Sequence, residues 1–235
     1  MSKYSIILHK SICARTKSMA KRILISDFDG TMTSNDFFRL ALARLPDDAV
    51  EPWLCFERGD CSHFDALAQI FARLRASIVE YDAMLESMMF DVDAATAIAT
   101  LGRAGWQVVI ASAGCSWYIE RLLKRHCIAI TVHANPGFVS PHGALIIQAA
   151  VTSPFYTADT GIDKSAVVRH YLAQGAEVAY AGDGRPDLTP ALLVAPQHRF
   201  VTGWLAEELH RRGEQYRTFN AWHDIATLLT EEVEP

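Results

Sequence analysis

Two aspartates stand two residues apart in Ile25-Ser26-Asp27-Phe28-Asp29-Gly30-Thr31-Met32-Thr33. Side chains at i and i+2 of an extended chain leave on the same face, so the carboxylates of Asp27 and Asp29 are placed to converge. Converging carboxylates repel, which implies either a bound cation or a raised pKa on one member. Beside Mg²⁺, an ionised carboxylate can attack phosphorus, and a neighbour kept protonated can deliver its proton to a leaving alcohol. Mg²⁺ suits such a pair because it takes oxygen ligands and is commonly held by one or two carboxylates together with phosphate oxygens. Gly30 allows a tight turn after the second acid. Asp-Gly is equally a plain turn signal, so the string needs partners elsewhere in the chain.

Three other strings offer them. In Val109-Ile110-Ala111-Ser112-Ala113-Gly114, a hydroxyl and free backbone N–H groups between a strand and a helix would form an anion site. The same Ser-Ala-Gly also suits the N-terminal cap of a helix beginning near Ser116. In Thr160-Gly161-Ile162-Asp163-Lys164, Lys164 falls in the first turn of a helix capped by Asp163. A cation there opposes the helix dipole, which invites a functional reason, although a lone lysine is ordinarily solvated. Ala181-Gly182-Asp183-Gly184-Arg185-Pro186-Asp187 places Asp183 and Asp187 after an apolar run. Gly-Asp-Gly is also a turn, and Pro186 stiffens it by removing a backbone donor.

These strings need a scaffold that brings them together. Short apolar runs at 22–28, 106–111, 128–132, 178–181 and 191–195 read as strands, and helical patterns at 94–103, 117–125, 164–173 and 204–212 lie between them. Near-continuous apolar strands alternating with helices predict a parallel sheet covered on both faces, with function at the carboxyl ends of its strands. Residues 34–89 break the alternation with helical spacing throughout. Residues 137–140 and 144–151 read as a β-hairpin, punctuated by Pro136-Gly137 and Pro141-His142-Gly143.

In chain order, the four strings resemble the motifs of the haloacid dehalogenase superfamily of phosphatases, in the phosphoserine phosphatase-like branch that carries a helical cap. The resemblance implies an α/β fold, a Rossmann-like three-layer α/β/α parallel sheet with the cap inserted after the first strand. The core domain would comprise residues 19–33 and 91–235, and the cap residues 34–90. Residues 1–18 fit neither and read as a disordered extension or an artefact of start-codon choice. The implied activity is Mg²⁺-dependent hydrolysis of a small phosphorylated metabolite through an aspartyl-phosphate. A phosphotransferase or mutase on the same residues, or a catalytically idle module that binds a phosphometabolite, are the alternatives. Asp27 would be the nucleophile and Asp29 the acid and base, with Asp27, Asp29 and Asp183 as metal ligands. Ser112, Ala113, Gly114 and Lys164 would bind the phosphate, Asp187 would hold Lys164 or a metal-bound water, and Thr31 and Gly30 would support the loop.

Residues 200–219 and the hairpin before Lys164 are similar to 2-hydroxy-3-keto-5-methylthiopentenyl-1-phosphate phosphatases of methionine salvage. Two departures disfavour phosphoserine. Where phosphoserine phosphatases carry a Glu for the substrate ammonium, this chain has Asp36. Near the place of their cap Arg it has Gln69, with Arg58, Arg73 and Arg75 close by. The aromatics Trp53, Phe56, Phe64 and Phe71 recur at helical spacing and read as core packing rather than pocket lining.

Composition is that of an ordinary globular chain: 235 residues, half of them hydrophobic, with a formal charge of −5. The basic residues are scattered and their one compact cluster, His210-Arg211-Arg212, reads as a solvated helix end, which argues against a nucleic-acid surface. Five cysteines, odd in number and without metal-ligand spacing, read as reduced thiols; Cys115 reads as an inert small residue. The run Ser5-Ile6-Ile7-Leu8 is too short for a signal-peptide core or a membrane span. A cytoplasmic location without membrane contact is therefore expected.

Overall fold

The computed structural model describes residues 21–231; the expectation for residues 1–18 lies outside them. β1 (Arg22–Ser26) is followed by α1 (Phe37–Leu42), a 3₁₀ turn (Asp47–Val50), α2 (Glu51–Arg58), α3 (His63–Arg73) and α4 (Ile78–Ser87). Next come α5 (Ala94–Arg103), β2 (Trp106–Cys115), α6 (Ser116–Arg125), β3 (Thr131–Asn135) and the hairpin β4 (Gly137–Val139) and β5 (Leu145–Ile147). A two-residue pair, β6 (Tyr156–Thr157) and β7 (Gly161–Ile162), precedes α7 (Lys164–Ala173) and β8 (Glu177–Gly182). The chain closes with α8 (Leu188–Leu192), β9 (Arg199–Val201), α9 (Gly203–Arg211), β10 (Arg217–Thr218) and α10 (Asp224–Thr230).

Six strands form a parallel sheet in the order β10-β9-β8-β1-β2-β3. Alternate side chains of the central strands enter different cores. Leu24, Val108, Ile110 and Ala179 pack with α5, α6 and α10 through Leu101, Ile119 and Ile225, whereas Ile23, Ile25, Val109 and Tyr180 pack with α7 and α9 through Val167, Val168 and Leu205. Burial on both faces explains why these strands read as unbroken apolar runs. The chain fills one side of β1 with β2 and β3, then the other with β8, β9 and β10. The order reverses beside β1, which places a crevice at the carboxyl ends of β1 and β8.

Helices α1 to α4 form a layer over that crevice, and the two chain segments joining it to the sheet are bridged at Thr33 and Phe90. Ser77 caps α4 with a reciprocal Glu80 contact, and Ser62 caps α3. The helical layer is tied to the sheet side at the start of α3 and again at the α3–α4 junction and in α4. The Phe64 N–H donates to the Asp159 carbonyl at 2.8 Å, and Ala76 N–H and the Tyr81 hydroxyl donate to the Gly143 carbonyl of the β4–β5 hairpin at 3.1 and 2.9 Å.

Three elements differ from the reading of the sequence. The apolar run 191–195 is not a strand: its buried residues Ala191 and Val194, with Pro190, follow helical spacing, and the fifth strand is β9. A run this short cannot be assigned by periodicity alone. The third strand begins at Thr131 rather than Ile128. β2 continues past Ala111 to Cys115, with its register against β3 shifting between those residues. Among the described residues no helix is long and apolar enough to cross a membrane, and the cysteines Cys55, Cys61, Cys115 and Cys127 are unpaired.

Candidate active site

The Asp27 N–H donates to the Ala181 carbonyl at 2.8 Å, carrying the β1–β8 pairing one residue beyond β1. The loops holding Asp27 and Asp183 are thereby held side by side. Asp27 is buried; its Oδ1 accepts the Phe28 N–H at 2.7 Å and its Oδ2 lies 2.7 Å from Lys164 Nζ. Lys164 opens α7 behind its N-cap Asp163, whose side chain accepts the Ser165 N–H. Its ammonium also lies 2.6 Å from Asp187 Oδ1. Asp187 is fully buried and accepts three further donors: the Tyr180 hydroxyl at 2.5 Å, the Gly184 N–H at 2.9 Å and the Asp183 N–H at 3.2 Å.

Charge is divided unequally over this group. Burial presses the Asp187 carboxyl upward, but Lys164, Tyr180 and Gly184 outweigh it and hold the pKa below its ordinary value. Burial, and then the charge of Asp187, push Asp27 well above the usual carboxylate range despite Lys164. The same two causes, in that order, push Asp183 to about 7. Burial works against the Lys164 ammonium, but the charges of Asp187 and Asp27 raise it. Negative charge is thus favoured on Asp187 and disfavoured on Asp27.

Carboxylate oxygens of Asp27, Asp183 and Asp187 lie within 4.8 Å of one another. The Asp29 carboxylate is not in that group, although Asp29 lines the same cavity as Asp27 and Asp183. Residues two apart share a face only while the chain stays extended, and here it turns: the Phe28 carbonyl accepts the N–H groups of Thr31, Met32 and Thr33, with Gly30 at φ +73°. Asp29 is instead held by the Phe37 N–H on Oδ1 at 3.0 Å and by the Tyr118 hydroxyl on Oδ2 at 2.7 Å. Burial raises its pKa, opposed by those two donors.

This donor set fits a hard divalent cation. Asp187 has its oxygens filled by four donors, which leaves the carboxylates of Asp27 and Asp183 as the oxygen ligands to hold an ion. Asp183 stands against the loop because Gly30 has no side chain: a Cβ there would lie 2.5 Å from Asp183 Oδ2. The Thr31 hydroxyl donates to Asp183 Oδ1 at 2.9 Å and fixes its direction.

Ser112, Ala113 and Gly114 lie in the irregular end of β2. The Ser112 Oγ accepts the Gly114 N–H at 3.0 Å, and α6 starts from Cys115 with no side-chain cap, so Ser112 is not the cap of that helix. Burial pushes the Cys115 thiol up to about 12, in keeping with an inert residue. The loop is braced by Asn135, whose Nδ2 donates to the carbonyls of Ala113 and Thr160, each at 2.9 Å. Gly161, at φ +76°, leaves room for it: a Cβ would fall 1.9 Å from Asn135 Oδ1. Gly161→Ala is therefore expected to destabilise the protein by about 2–4 kcal/mol through strained backbone and a displaced Asn135. Urea unfolding would show this as a lower midpoint at unchanged slope.

Asp27, Asp29, Ser112, Ala113, Gly114, Lys164 and Asp183 line one cavity of ≈ 440 Å³. Asp187, Thr31 and Gly30 stand behind it. The helical layer contributes Asp36, Phe38, Arg39, Trp53, Phe56, Glu57, His63, Leu67 and Phe71, and the rim carries Arg185, Pro186 and Trp204. The aromatic residues therefore do not serve packing alone. Trp53, Phe56 and Phe71 face the cavity while Phe64 does not, because the inner faces of α2 and α3 look onto the sheet. Gln69 is exposed and away from the cavity, Arg58 pairs with Glu51 and Asp60, and Arg73 with Asp48. The arginines that reach the cavity are Arg39 and Arg185. Asp36 caps α1 through the Phe38 N–H at 3.0 Å while lining it.

Residues 22–202 match the sequence profile of the family described as Putative Phosphatase, a span that holds every one of these side chains except that of Trp204. The chain belongs to that family. This phosphatase has the haloacid dehalogenase fold. It is similar to a haloacid dehalogenase family hydrolase from Salmonella enterica serovar Typhi, with TM-score 0.68, 15% identity, and 92% of this chain and 72% of the other covered. It is also similar to a substrate-bound phosphoserine phosphatase complex (TM-score 0.61, 13% identity, 90% and 98% covered). A third likeness is to a phospho-aspartyl intermediate analogue of phosphoserine phosphatase (TM-score 0.62, 14% identity, 88% and 98% covered). At these identities the likeness concerns the fold. No curated protein matches the sequence.

Sequence reasoning missed Tyr118, Tyr180, Asn135 and His63 in this phosphatase. Tyr118 is 89 residues from Asp29, and Asn135 is 22 and 25 residues from the carbonyls it holds. No local pattern marks such partners.

Proposed function

We propose that this phosphatase hydrolyses a small-molecule phosphomonoester with Mg²⁺, through an aspartyl-phosphate on Asp27. The observation that carries this reading is the Asp27 carboxylate on the cavity floor, bound to Lys164 and set against Asp183. A relative of the same fold, a phosphoserine phosphatase, has been captured as a phospho-aspartyl intermediate analogue.

Asp27 attacks phosphorus in line, and Asp29, whose burial favours its protonated form, gives its proton to the departing alkoxide. Asp29, now ionised and steadied by Tyr118 and Phe37, draws a proton from water as that water attacks the phosphorus of the aspartyl-phosphate. Lys164, Ser112 and the N–H groups of its loop hold the phosphoryl oxygens. Mg²⁺ held by Asp27 and Asp183 would neutralise phosphoryl charge and keep Asp27 ionised. Residues 34–90 act as a cap over the core of residues 19–33 and 91–235, excluding water during the first transfer. The substrate is a free metabolite in the cytoplasm, not nucleic acid or lipid, and its leaving group rests under Phe38, Trp53 and Phe56.

A phosphate-release screen with and without Mg²⁺ tests this reading, using p-nitrophenyl phosphate, phosphoserine, phosphocholine, sugar phosphates and the methionine-salvage intermediate. Inorganic phosphate released one-to-one with alcohol, and lost on chelation, is the expected result. Transfer to a second sugar without free phosphate would make the protein a phosphotransferase instead.

Tyr118→Phe removes one of the two donors on Asp29. Hydrogen bonds to a charged group contribute about 1.5–3 kcal/mol, so kcat is expected to fall roughly tenfold to a hundredfold in steady-state assays. A kcat within about twofold of wild type would mean that the Phe37 N–H alone suffices.

A further inference from the structure

Two arginines line the exposed part of the cavity wall, one from each layer: Arg39 from α1 and Arg185 from the loop after β8. Their guanidinium carbons lie 5.5 and 5.6 Å from the ring centroids of Phe38 and Trp204. Phe38 is itself stacked on Trp53, with 4.1 Å between centroids. A guanidinium over an aromatic ring keeps its N–H groups available for an acceptor. Among the described residues no carboxylate stands within ion-pair distance of Arg39 or Arg185, and no oxygen accepts a hydrogen bond from either. The other described arginines, Arg44 apart, bond or pair within the chain.

The remaining charged groups of the cavity have partners. Lys164 is held by Asp27 and Asp187, Asp29 by Tyr118 and Phe37, and Asp183 by Thr31. On the helical wall Asp36 accepts the Phe38 N–H, and Glu57 accepts the Trp53 indole N–H at 3.2 Å. Each acid thus already holds a donor of this chain, whereas the two guanidiniums hold no acceptor. A carboxylate or a phosphate supplies what they lack, because two of its oxygens match the planar N–H fork of a guanidinium. A neutral leaving group would leave both forks unfilled, and an ammonium would face two cations. We propose that Arg39 and Arg185 are specificity-determining residues that hold an anionic group, a carboxylate or a second phosphate, on the leaving alcohol, so that the enzyme selects phosphomonoesters carrying a second anion. This rests on the phosphomonoesterase reading above.

The test compares kcat/KM across esters that differ only at the far end of the leaving group: propyl phosphate, 3-(phosphonooxy)propanoate, 1,3-propanediol bisphosphate and 3-aminopropyl phosphate. p-Nitrophenyl phosphate serves as a reference for the chemical step. Wild type with Mg²⁺ is expected to prefer one or both esters with a second anion to propyl phosphate by about tenfold or more, and the ester that wins identifies the anion. The preference should shrink as salt is added, because both arginines are exposed. Arg39→Gln and Arg185→Gln should each cut it at least about threefold, and the double variant should bring it to within about twofold of none. Arg39→Lys, which keeps the charge and loses the fork, should retain part of it. A preference that survives either glutamine substitution unchanged overturns the proposal, as do rates that fall together on every ester with their ratios intact. A wild-type preference for 3-aminopropyl phosphate overturns it and gives the selection to Asp36 and Glu57. Wild type that cleaves p-nitrophenyl phosphate without preferring a second anion also overturns it and leaves the phosphomonoesterase reading standing. Wild type inactive on every ester with Mg²⁺ defeats that reading, and the role of the two arginines falls with it.

Discussion

Asp27→Asn is expected to lower kcat by at least about three orders of magnitude, as loss of a nucleophile does, while the protein melts at or above the wild-type temperature. The two halves of this result have one cause. Asp27 is buried beside Asp187 and Asp183, and its pKa lies well above the ordinary value. A carboxyl whose folded pKa is raised costs stability at every pH above its unfolded pKa, because the folded state must hold a charge it disfavours. Asn keeps the shape and removes the charge. Without Mg²⁺, the loss of repulsion from Asp187 and Asp183 offsets the weakened contact with Lys164, and a rise of up to roughly 5 °C is expected. The effect of metal should reverse: Mg²⁺ should raise the wild-type melting temperature more than that of the variant. Phosphate release and thermal melts, each with and without Mg²⁺, check both. A variant that keeps a tenth of the activity would exclude Asp27 as nucleophile, and a melt several degrees below wild type would mean that the Lys164 contact outweighs the repulsion.

Asp187→Asn is expected to act in the opposite way on stability. Its two oxygens take four donors, among them the buried Lys164 ammonium. An amide has one acceptor oxygen, and its NH₂ would face donors. Lys164 would keep only Asp27, itself a poor anion at this site. Removing one partner of a buried ion pair costs about 3–5 kcal/mol, which for a chain of this size is a fall of roughly 10 °C or more in melting temperature. Here the folded pKa is lowered. The stability that Asp187 adds is thus present in full above its unfolded pKa of about 3.9 and is lost as pH falls through the lower folded value. Wild type and variant should accordingly differ most near neutral pH and approach one another on strong acidification. Denaturant unfolding as a function of pH measures this; a gap that is constant down to the acid limit would place the effect in packing rather than charge.

Much of this was legible in the sequence. The strands buried on both faces announced themselves as apolar runs because every residue of Ile23, Leu24 and Ile25 meets a core. The order of the strings around Asp27, Ser112, Lys164 and Asp183 foretold that strand ends would gather them, since a parallel sheet aligns its carboxyl ends. The run 191–195 was misread because Pro190, Ala191 and Val194 bury at helical spacing within too few residues for the period to show. The aromatics of the cap were misjudged for a different reason: helical spacing tells which residues share a face, and is silent about what that face looks upon.

The sequence by itself determined the backbone chemistry of the site: an acid at the end of β1, a glycine able to turn beside it, a lysine in the first turn of α7, and a second acid after β8. Those features are local, and local residue types encode them. Only the tertiary structure decided how the charges are shared. Asp27 and Asp29 look alike two residues apart, but the turn at Gly30 gives one to Lys164 and the acid cluster and the other to Tyr118 and Phe37. Which carboxylate pairs with Lys164 and which is held by Tyr118 depends on partners tens of residues away, and those exist only once the sheet has brought its strand ends together.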